Sequence, residues 1–335
     1  MRENHAAFSR IWFRPKVLVD VSKVDLSTTM LGSPSSVPFY ISAAALGKLG
    51  HQEGEVVLTR AGYRENVIQM IPTLASCSFD EIVDAKQGDQ IQWLQLYVNQ
   101  DREITRKIVQ HAEKRGCGAL WITVDAPQLG RREKDMRSKY DQRAASVQDN
   151  ESTVDRSQGA ARAISSFIDP SLSWKDIPWF QSITKMAIVL KGIQRAEDAI
   201  RAVEYGVDAI LLSNHGGRQL DFARPAIEVL PEVMTALRRH GYEDKIEVYI
   251  DGGIRRGTDI LKALCGETGV VRAIQLLKDE LEMNMRLIGA TRISDLSESF
   301  VDSGSIANHI IVPRDHLSSQ VYDKLVAPPF VKSKL

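Results

Sequence analysis

Short apolar runs alternate along the chain with longer stretches in which apolar residues recur every three or four positions, and the two periods predict strands and helices in turn. Residues 38–43 (PFYISA) form the first run, with a helical stretch over 53–64 behind it. Residues 67–73 and 91–98 give the second and third strands. Between them a helix opens at Ser78, with Asp80 and Glu81 in its first turn, where carboxylates favour the helix dipole. A strongly periodic helix over 101–115 is stopped by Gly116, and the fourth strand, 119–124, runs into Asp125, Ala126 and Pro127. The rhythm then breaks. Residues 130–151 are crowded with charge and poor in large apolar side chains, which predicts a mobile charged insertion at about 130–156. Order is expected again over 157–167 and 173–183. Strands at 186–190, 208–212 and 246–250 follow, each with a helix behind it, at 195–205, 226–239 and 258–264. A long amphipathic helix over 267–287 and a C-terminal tail from about 296 complete the chain. In residues 1–36, Ile11, Trp12 and Phe13 are expected to lead into the core.

Seven strand and helix units in alternation imply parallel strands joined by right-handed crossovers, and so many units favour a closed barrel over an open sheet. The expectation is an α/β fold of the TIM (β/α)8 type, one domain over residues 1–335. Chemistry in such a barrel gathers at the C-terminal ends of the strands. The polar residues Tyr97, Thr123, Asp125, Lys191, Ser213, His215 and Asp251 fall at those ends.

Composition narrows the partners. Lys plus Arg and Asp plus Glu both total 43, so no net positive field favours nucleic acid or an anionic membrane. No apolar run approaches the roughly 18 residues of a membrane span, and Met1 is followed by polar residues rather than a signal peptide. The three cysteines, Cys77, Cys117 and Cys265, form no CxxC pair, which fits a reducing compartment. The seven histidines show no ligand spacing, so no metal is expected.

The stretch SNHGGRQLD, 213–221, carries the densest chemistry. His215 would sit at the tip of a strand, where a neutral imidazole can take a proton near pH 7, and Arg218 offers a planar fork of donors to a carboxylate. Proton abstraction from a small anionic acid fits that pair. A glycine-rich turn in which His215 merely caps a strand accounts for the same residues equally well. After the seventh strand, DGGIRRG at 251–257 sets free backbone N–H groups and Arg255 before a helix, a phosphate cradle where barrel phosphate sites recur. An aldolase-like barrel with a Lys191 Schiff base is the rival enzyme reading, but it gives Asp125, His215, Arg218 and the DGG run no joint purpose.

Taken in order, RENHAAF, LASCS, QLYVN, TVDAP, LGRREKDM, SQGAARA, FIDPSLSWKDI, VLKG, SNHGGRQLDF and DGGIRRGTD resemble the FMN-dependent L-2-hydroxy acid dehydrogenases and oxidases. Among these the flavodehydrogenase domain of fungal L-lactate dehydrogenases is most similar. The resemblance implies FMN as cofactor and a lactate-like substrate, with His215 as the base and Asp125 as the carboxylate that orients it. Tyr97 and Arg218 would hold the substrate carboxylate, with Arg132 as a second cation. Lys191 would face the flavin N1/O2 edge. By the same resemblance Ala43, Ala44, Ala45, Gln95, Thr123 and Ser213 line the isoalloxazine, while Asp251, Gly252, Gly253 and Arg255 hold ribityl and phosphate.

Relatives imply a tetramer, and either oxygen or cytochrome c as electron acceptor. No HPGG-type haem motif occurs in the chain.

Three departures accompany the likeness. Beyond KALC the chain passes straight into GETGVVRA, where the family has an eighth strand and a Gly-Arg pair for phosphate, so strand eight and part of the phosphate site are expected to be missing. The family's N-terminal helices, with another substrate tyrosine, are not seen. Pro72 stands where relatives often have a flavin-contacting serine. A catalytically inactive barrel serving as a binding or assembly subunit is the alternative these departures raise. The terminal Ser333, Lys334 and Leu335 spell a peroxisomal address, whereas the fungal resemblance points to the mitochondrial intermembrane space.

Overall fold

The computed structural model describes residues 2–10, 12–13, 16–130, 167–253 and 267–302. Almost all of the charged insertion, the expected helix at 258–264, Arg132, Arg255, the KALC junction and the tail from residue 303 lie outside the described residues.

In chain order the elements are α1 (Arg2–Ala6), β1 (Trp12–Phe13), β2 (Thr28–Met30), β3 (Ser33–Ser35), α2 (Val56–Glu65), β4 (Gln69–Ile71), α3 (Phe79–Asp84), β5 (Gln92–Leu96), α4 (Arg102–Lys114) and β6 (Ala119–Thr123). Then come α5 (Ile177–Ile183), β7 (Ala187–Ile193), α6 (Ala196–Glu204), β8 (Ala209–Leu212), α7 (Ala226–Arg239), β9 (Glu247–Ile250), α8 (Glu267–Ile288) and β10 (Val301–Asp302). Local chemistry sets the helix starts. Ser78 and Glu81 form a reciprocal capping box on α3, Asp101 caps α4 by accepting from the Glu103 N–H at 2.8 Å, and a proline occupies the first turn of α5.

Strands β4 to β9 pair in parallel in sequence order, with helices between them, as the alternation predicts. The first expected strand, 38–43, contributes only a bridge: Ile41 donates to Ile68 O at 2.9 Å and accepts from the Met70 N–H at 2.8 Å. Strand β7 is longer than expected and carries Lys191 within it, with a register shift between Lys191 and Ile193. The last helix, α8, returns to pack on α2, the first helix of the alternation, and Lys278 pairs there with Glu65 at 3.1 Å. Among the described residues the six strands β4–β9 form a curled parallel sheet, a half-barrel, and the α8–α2 contact brings the last helix back beside the first.

Alternation along the strands sorts two cores. Leu94, Leu96, Leu120, Ile122, Ile188, Leu190, Ile210 and Leu212 pack outward against the helices. The intervening set, Trp93, Trp121, Val189, Ala209 and Leu211 with Tyr249, fills the interior beside Tyr40. Trp93 and Trp121 stack at 5.0 Å, and Tyr40 meets both at 5.1 and 5.2 Å. At the N-terminal ends of the strands the β2–β3 hairpin brings Met30 and Leu31 to this core, and the Leu31 N–H donates to the Glu247 carboxylate at 2.9 Å. With that end covered by the hairpin, the opposite end is where a ligand can enter. In the expected lead-in, Trp12 and Phe13 pair antiparallel with Asp302 and Val301.

Candidate active site

The interior register that places Trp93, Trp121, Val189, Leu211 and Tyr249 in the core continues, two residues on, into Gln95, Thr123, Lys191, Ser213 and Asp251, and two further on into Tyr97, Asp125 and His215. One alternation thus produces an apolar floor and a polar mouth. Gln95 Nε2 donates to Thr123 Oγ1 at 2.9 Å, while Gln95 Oε1 accepts from the Thr73 N–H at 3.1 Å. Thr73 Oγ1 also accepts from the Tyr97 N–H at 3.0 Å, tying the loop after β4 to the end of β5.

His215 stands at the centre. Its Nδ1 lies 3.0 Å from Asp125 Oδ1 and its Nε2 lies 3.1 Å from Tyr97 Oη, with the two rings stacked at 6.3 Å. A carboxylate only accepts, so Nδ1 carries the hydrogen and Nε2 keeps its lone pair toward the Tyr97 hydroxyl. The Asp125 side chain is 4% exposed, and its Oδ2 is buried without a protein partner among the described residues. Gly192 makes room for it: a Cβ there would lie 2.6 Å from Asp125 Cβ and Cγ, and the backbone φ is +116°. Gln219 braces the same loop, donating to Asp125 O at 3.1 Å and Gln128 O at 2.9 Å and accepting from the Gly130 N–H at 3.0 Å. The backbone of His215 is itself left-handed, at φ +58°, a conformation costing a non-glycine residue roughly 1–2 kcal/mol.

Lys191 is 6% exposed and lies 3.4 Å from both Asp251 Oδ2 and Ser213 Oγ. Burial alone would lower its pKa, but Asp251 and then Asp125 outweigh that and hold the ammonium above the ordinary lysine value, hence charged. Asp251 Oδ1 is buried with no protein partner among the described residues. Ala43, Ala44 and Ala45 follow the Ile41 bridge at the same end of the sheet, and Ala45 is exposed. Arg218 is exposed beside the base and makes no ion pair among the described residues. Gly252 and Gly253 follow β9 with left-handed backbones, and their bare Cα atoms face α1: an added Cβ would lie 2.8 Å from Asn4 Nδ2 and 1.9 Å from Asn4 O respectively. Packing by α1 is a reason for these glycines that the DGG run alone does not reveal. No group of three His, Cys, Asp or Glu side chains among the described residues is arranged to hold a metal ion.

Residues 1–303 match the model of the FMN-dependent dehydrogenase family. The chain belongs to that family. An L-lactate dehydrogenase (cytochrome) of Wickerhamomyces anomalus is 55% identical over 350 residues, covering 98% of this chain. A peroxisomal (S)-2-hydroxyacid oxidase of Arabidopsis thaliana is 41% identical over 324 residues, covering 90% of this chain and 87% of the relative. The solved flavin-binding domain of baker's yeast flavocytochrome b2 superposes with a TM-score of 0.83 at 48% identity, covering 99% of this chain and 86% of that one. The chain spans 61% of the Wickerhamomyces enzyme and 59% of its Saccharomyces cerevisiae counterpart. The barrel is the fold of the FMN-dependent dehydrogenases, and FMN is their cofactor.

The side chains present fit that group. A buried ammonium beside a buried carboxylate with one unpartnered oxygen, above an apolar floor, suits a planar polar ring and its hydroxylated chain. The sequence did not single out Thr73, Gly192, Gln219 or Asn214, although Gly192, Asn214 and Gln219 lie inside the quoted VLKG and SNHGGRQLDF runs.

Proposed function

We propose that this chain oxidises a small L-2-hydroxy acid, lactate or a close analogue, to the 2-oxo acid, with His215 as the base. FMN, when bound, takes up the two electrons released at C2. The observation that carries the reading is His215 held between two fixed partners, Asp125 on Nδ1 and Tyr97 on Nε2. The Asp125 contact leaves the proton-accepting lone pair on Nε2, at the mouth of the barrel, and stabilises the imidazolium once a proton arrives there. Arg218 supplies the planar fork for the substrate carboxylate, and Tyr97 a hydroxyl beside it. Lys191, Asp251, Gln95, Thr123, Ser213 and the Ala43–Ala45 turn hold the cofactor, with Gly252 and Gly253 at its phosphate end.

Support for the substrate class comes from relatives named as a lactate dehydrogenase (cytochrome) and as a 2-hydroxyacid oxidase. Their names also divide the electron acceptor between cytochrome and oxygen, so reduction of the flavin, which both share, is the step to test.

Replacing His215 by Gln tests the base. The variant is expected to keep FMN through desalting while anaerobic reduction of the flavin by L-lactate slows by about 10²–10⁴-fold. Reduction at the parental rate would remove His215 from this role.

A further inference from the structure

RENHAAF, the stretch that opens the chain, has no part in the proposed chemistry, yet it is seated on two loops that do. Asn4 and Asn214 are 3% and 2% exposed. Their carboxamides pair reciprocally: Asn4 Nδ2 donates to Asn214 Oδ1 at 2.7 Å, and Asn214 Nδ2 donates to Asn4 Oδ1 at 2.6 Å. Asn214 spends its remaining capacity on its own loop. Its Oδ1 also accepts from the Gly217 N–H at 2.9 Å, and its Nδ2 reaches Arg224 O at 3.1 Å. Helix α1 touches the loop after β9 as well, where His5 Nδ1 lies 3.2 Å from Gly253 O.

Asn214 is followed by three consecutive left-handed positions, His215 at φ +58°, Gly216 at +67° and Gly217, the residue it caps, at +73°. The glycines adopt that backbone freely, and a histidine does not. Something outside the turn must over-determine it. The Ser213 hydroxyl accepts from the His215 N–H at 3.0 Å on one side, and the Asn214 carboxamide closes the turn on the other. Free to rotate, that carboxamide would be a weak cap. The Gly217 N–H and Arg224 O favour one orientation, and the pairing with Asn4 reinforces it, because a flip would also set oxygen against oxygen.

We propose that Asn4 is a positioning residue for the base: it locks the Asn214 carboxamide, which locks the left-handed turn that aims His215 Nδ1 at Asp125 and Nε2 into the barrel mouth. For its kinetic readout this inference rests on the proposed function. An Asn4 that merely packs α1 against the barrel would affect folding and cofactor retention, not the rate at which bound substrate reduces the flavin.

The test uses the FMN-loaded chain with Asn4→Ala and Asn4→Asp, following anaerobic flavin reduction over a range of L-lactate concentrations. Asn4→Ala is expected to reduce at least about tenfold more slowly at saturating lactate, with the substrate dissociation constant and FMN retention within about twofold of the parent. In Asn4→Asp, a protonated carboxyl presents one donor and one acceptor, as the carboxamide does, whereas an ionised one offers Asn214 Oδ1 no hydrogen. The Asn4→Asp rate, divided by the parental rate at the same pH, therefore rises as pH falls. Taking the ratio at each pH cancels pH effects common to both proteins. Parental rates in Asn4→Ala, losses no larger than the loss of bound FMN, or a pH-independent ratio for Asn4→Asp would each overturn the proposal. Should L-lactate fail to reduce the parent, the functional reading falls and hydrogen exchange decides this one. Amides of residues 213–217 then exchange about tenfold faster in Asn4→Ala if the lock exists, and at the parental rate if it does not.

Discussion

A methyl group on residue 192 would collide with the carboxylate that orients the base, since the added carbon lies 2.6 Å from Asp125 Cβ and Cγ, and the φ of +116° leaves a side chain no relaxed backbone. Gly192→Ala is thus expected to displace Asp125 rather than the cofactor. Flavin reduction should slow about a hundredfold, the order associated with a misplacement near 1 Å, while FMN stays bound. Stopped-flow reduction with L-lactate checks this, and parental kinetics would show that Asp125 does not need its present position. At this scale the sequence reveals the residues that carry charge and misses the ones that make space. Tyr97, Thr123, Asp125, Lys191, Ser213 and Asp251 were legible because strand alternation alone assigns them to one end of the barrel. Gly192 was not, because a glycine after a strand looks like any turn until the neighbour it avoids is known.

Loops at that end are held by a buried carboxylate outside the chemistry. Glu55, fully buried before α2, accepts from the Gly47 N–H at 2.8 Å, the Ser76 N–H at 2.9 Å and the Cys77 N–H at 3.1 Å. It therefore ties the loop carrying Ala43–Ala45 to the loop after β4. Glu55→Ala would orphan three amides and is expected to destabilise the chain by about 3–5 kcal/mol, with weaker FMN retention, as measured by denaturant unfolding and desalting. An effect below about 1 kcal/mol would mean that water replaces the carboxylate.

A second tie has a pH signature. Asp169, 7% exposed, is raised by burial, but hydrogen bonds from the Ser171 hydroxyl and N–H outweigh that, aided by Arg102 at 2.6 Å, and hold its pKa below the ordinary 3.8. A depressed folded value stabilises the native state above the unfolded pKa and is lost as pH falls through the folded one. The stability gap between the parent and Asp169→Asn should then be about 2 kcal/mol at pH 7, and it should shrink only below pH 3.8. A gap that closes by pH 5 would contradict the assignment. The parallel strands β4–β9 were legible from periodicity and the β2–β3 hairpin was not; β7 continues past Lys191 and the first strand shrinks to a bridge at Ile41, since hydrogen bonding to a neighbour sets strand length and local pattern does not.

Across the molecule, a two-residue period carried through the parallel strands puts the apolar floor and the polar mouth on one interior face, while the alternation of strand and helix is why the fold class could be derived from the chain. Contacts such as Asn4 with Asn214, 210 residues apart, leave no trace in spacing or composition, and neither does the dependence of the DGG glycines on α1. Those contacts join the N-terminal stretch to the catalytic loop, so the site is a property of the whole chain. The proposed function requires this chain to hold FMN and to deliver it electrons from a 2-hydroxy acid. Its most direct test is a visible spectrum of the protein after incubation with excess FMN and desalting, recorded again after anaerobic addition of L-lactate. A retained flavin band that bleaches on addition is the predicted result, whereas flavin lost on desalting, or a bound band that lactate leaves unchanged, would contradict it.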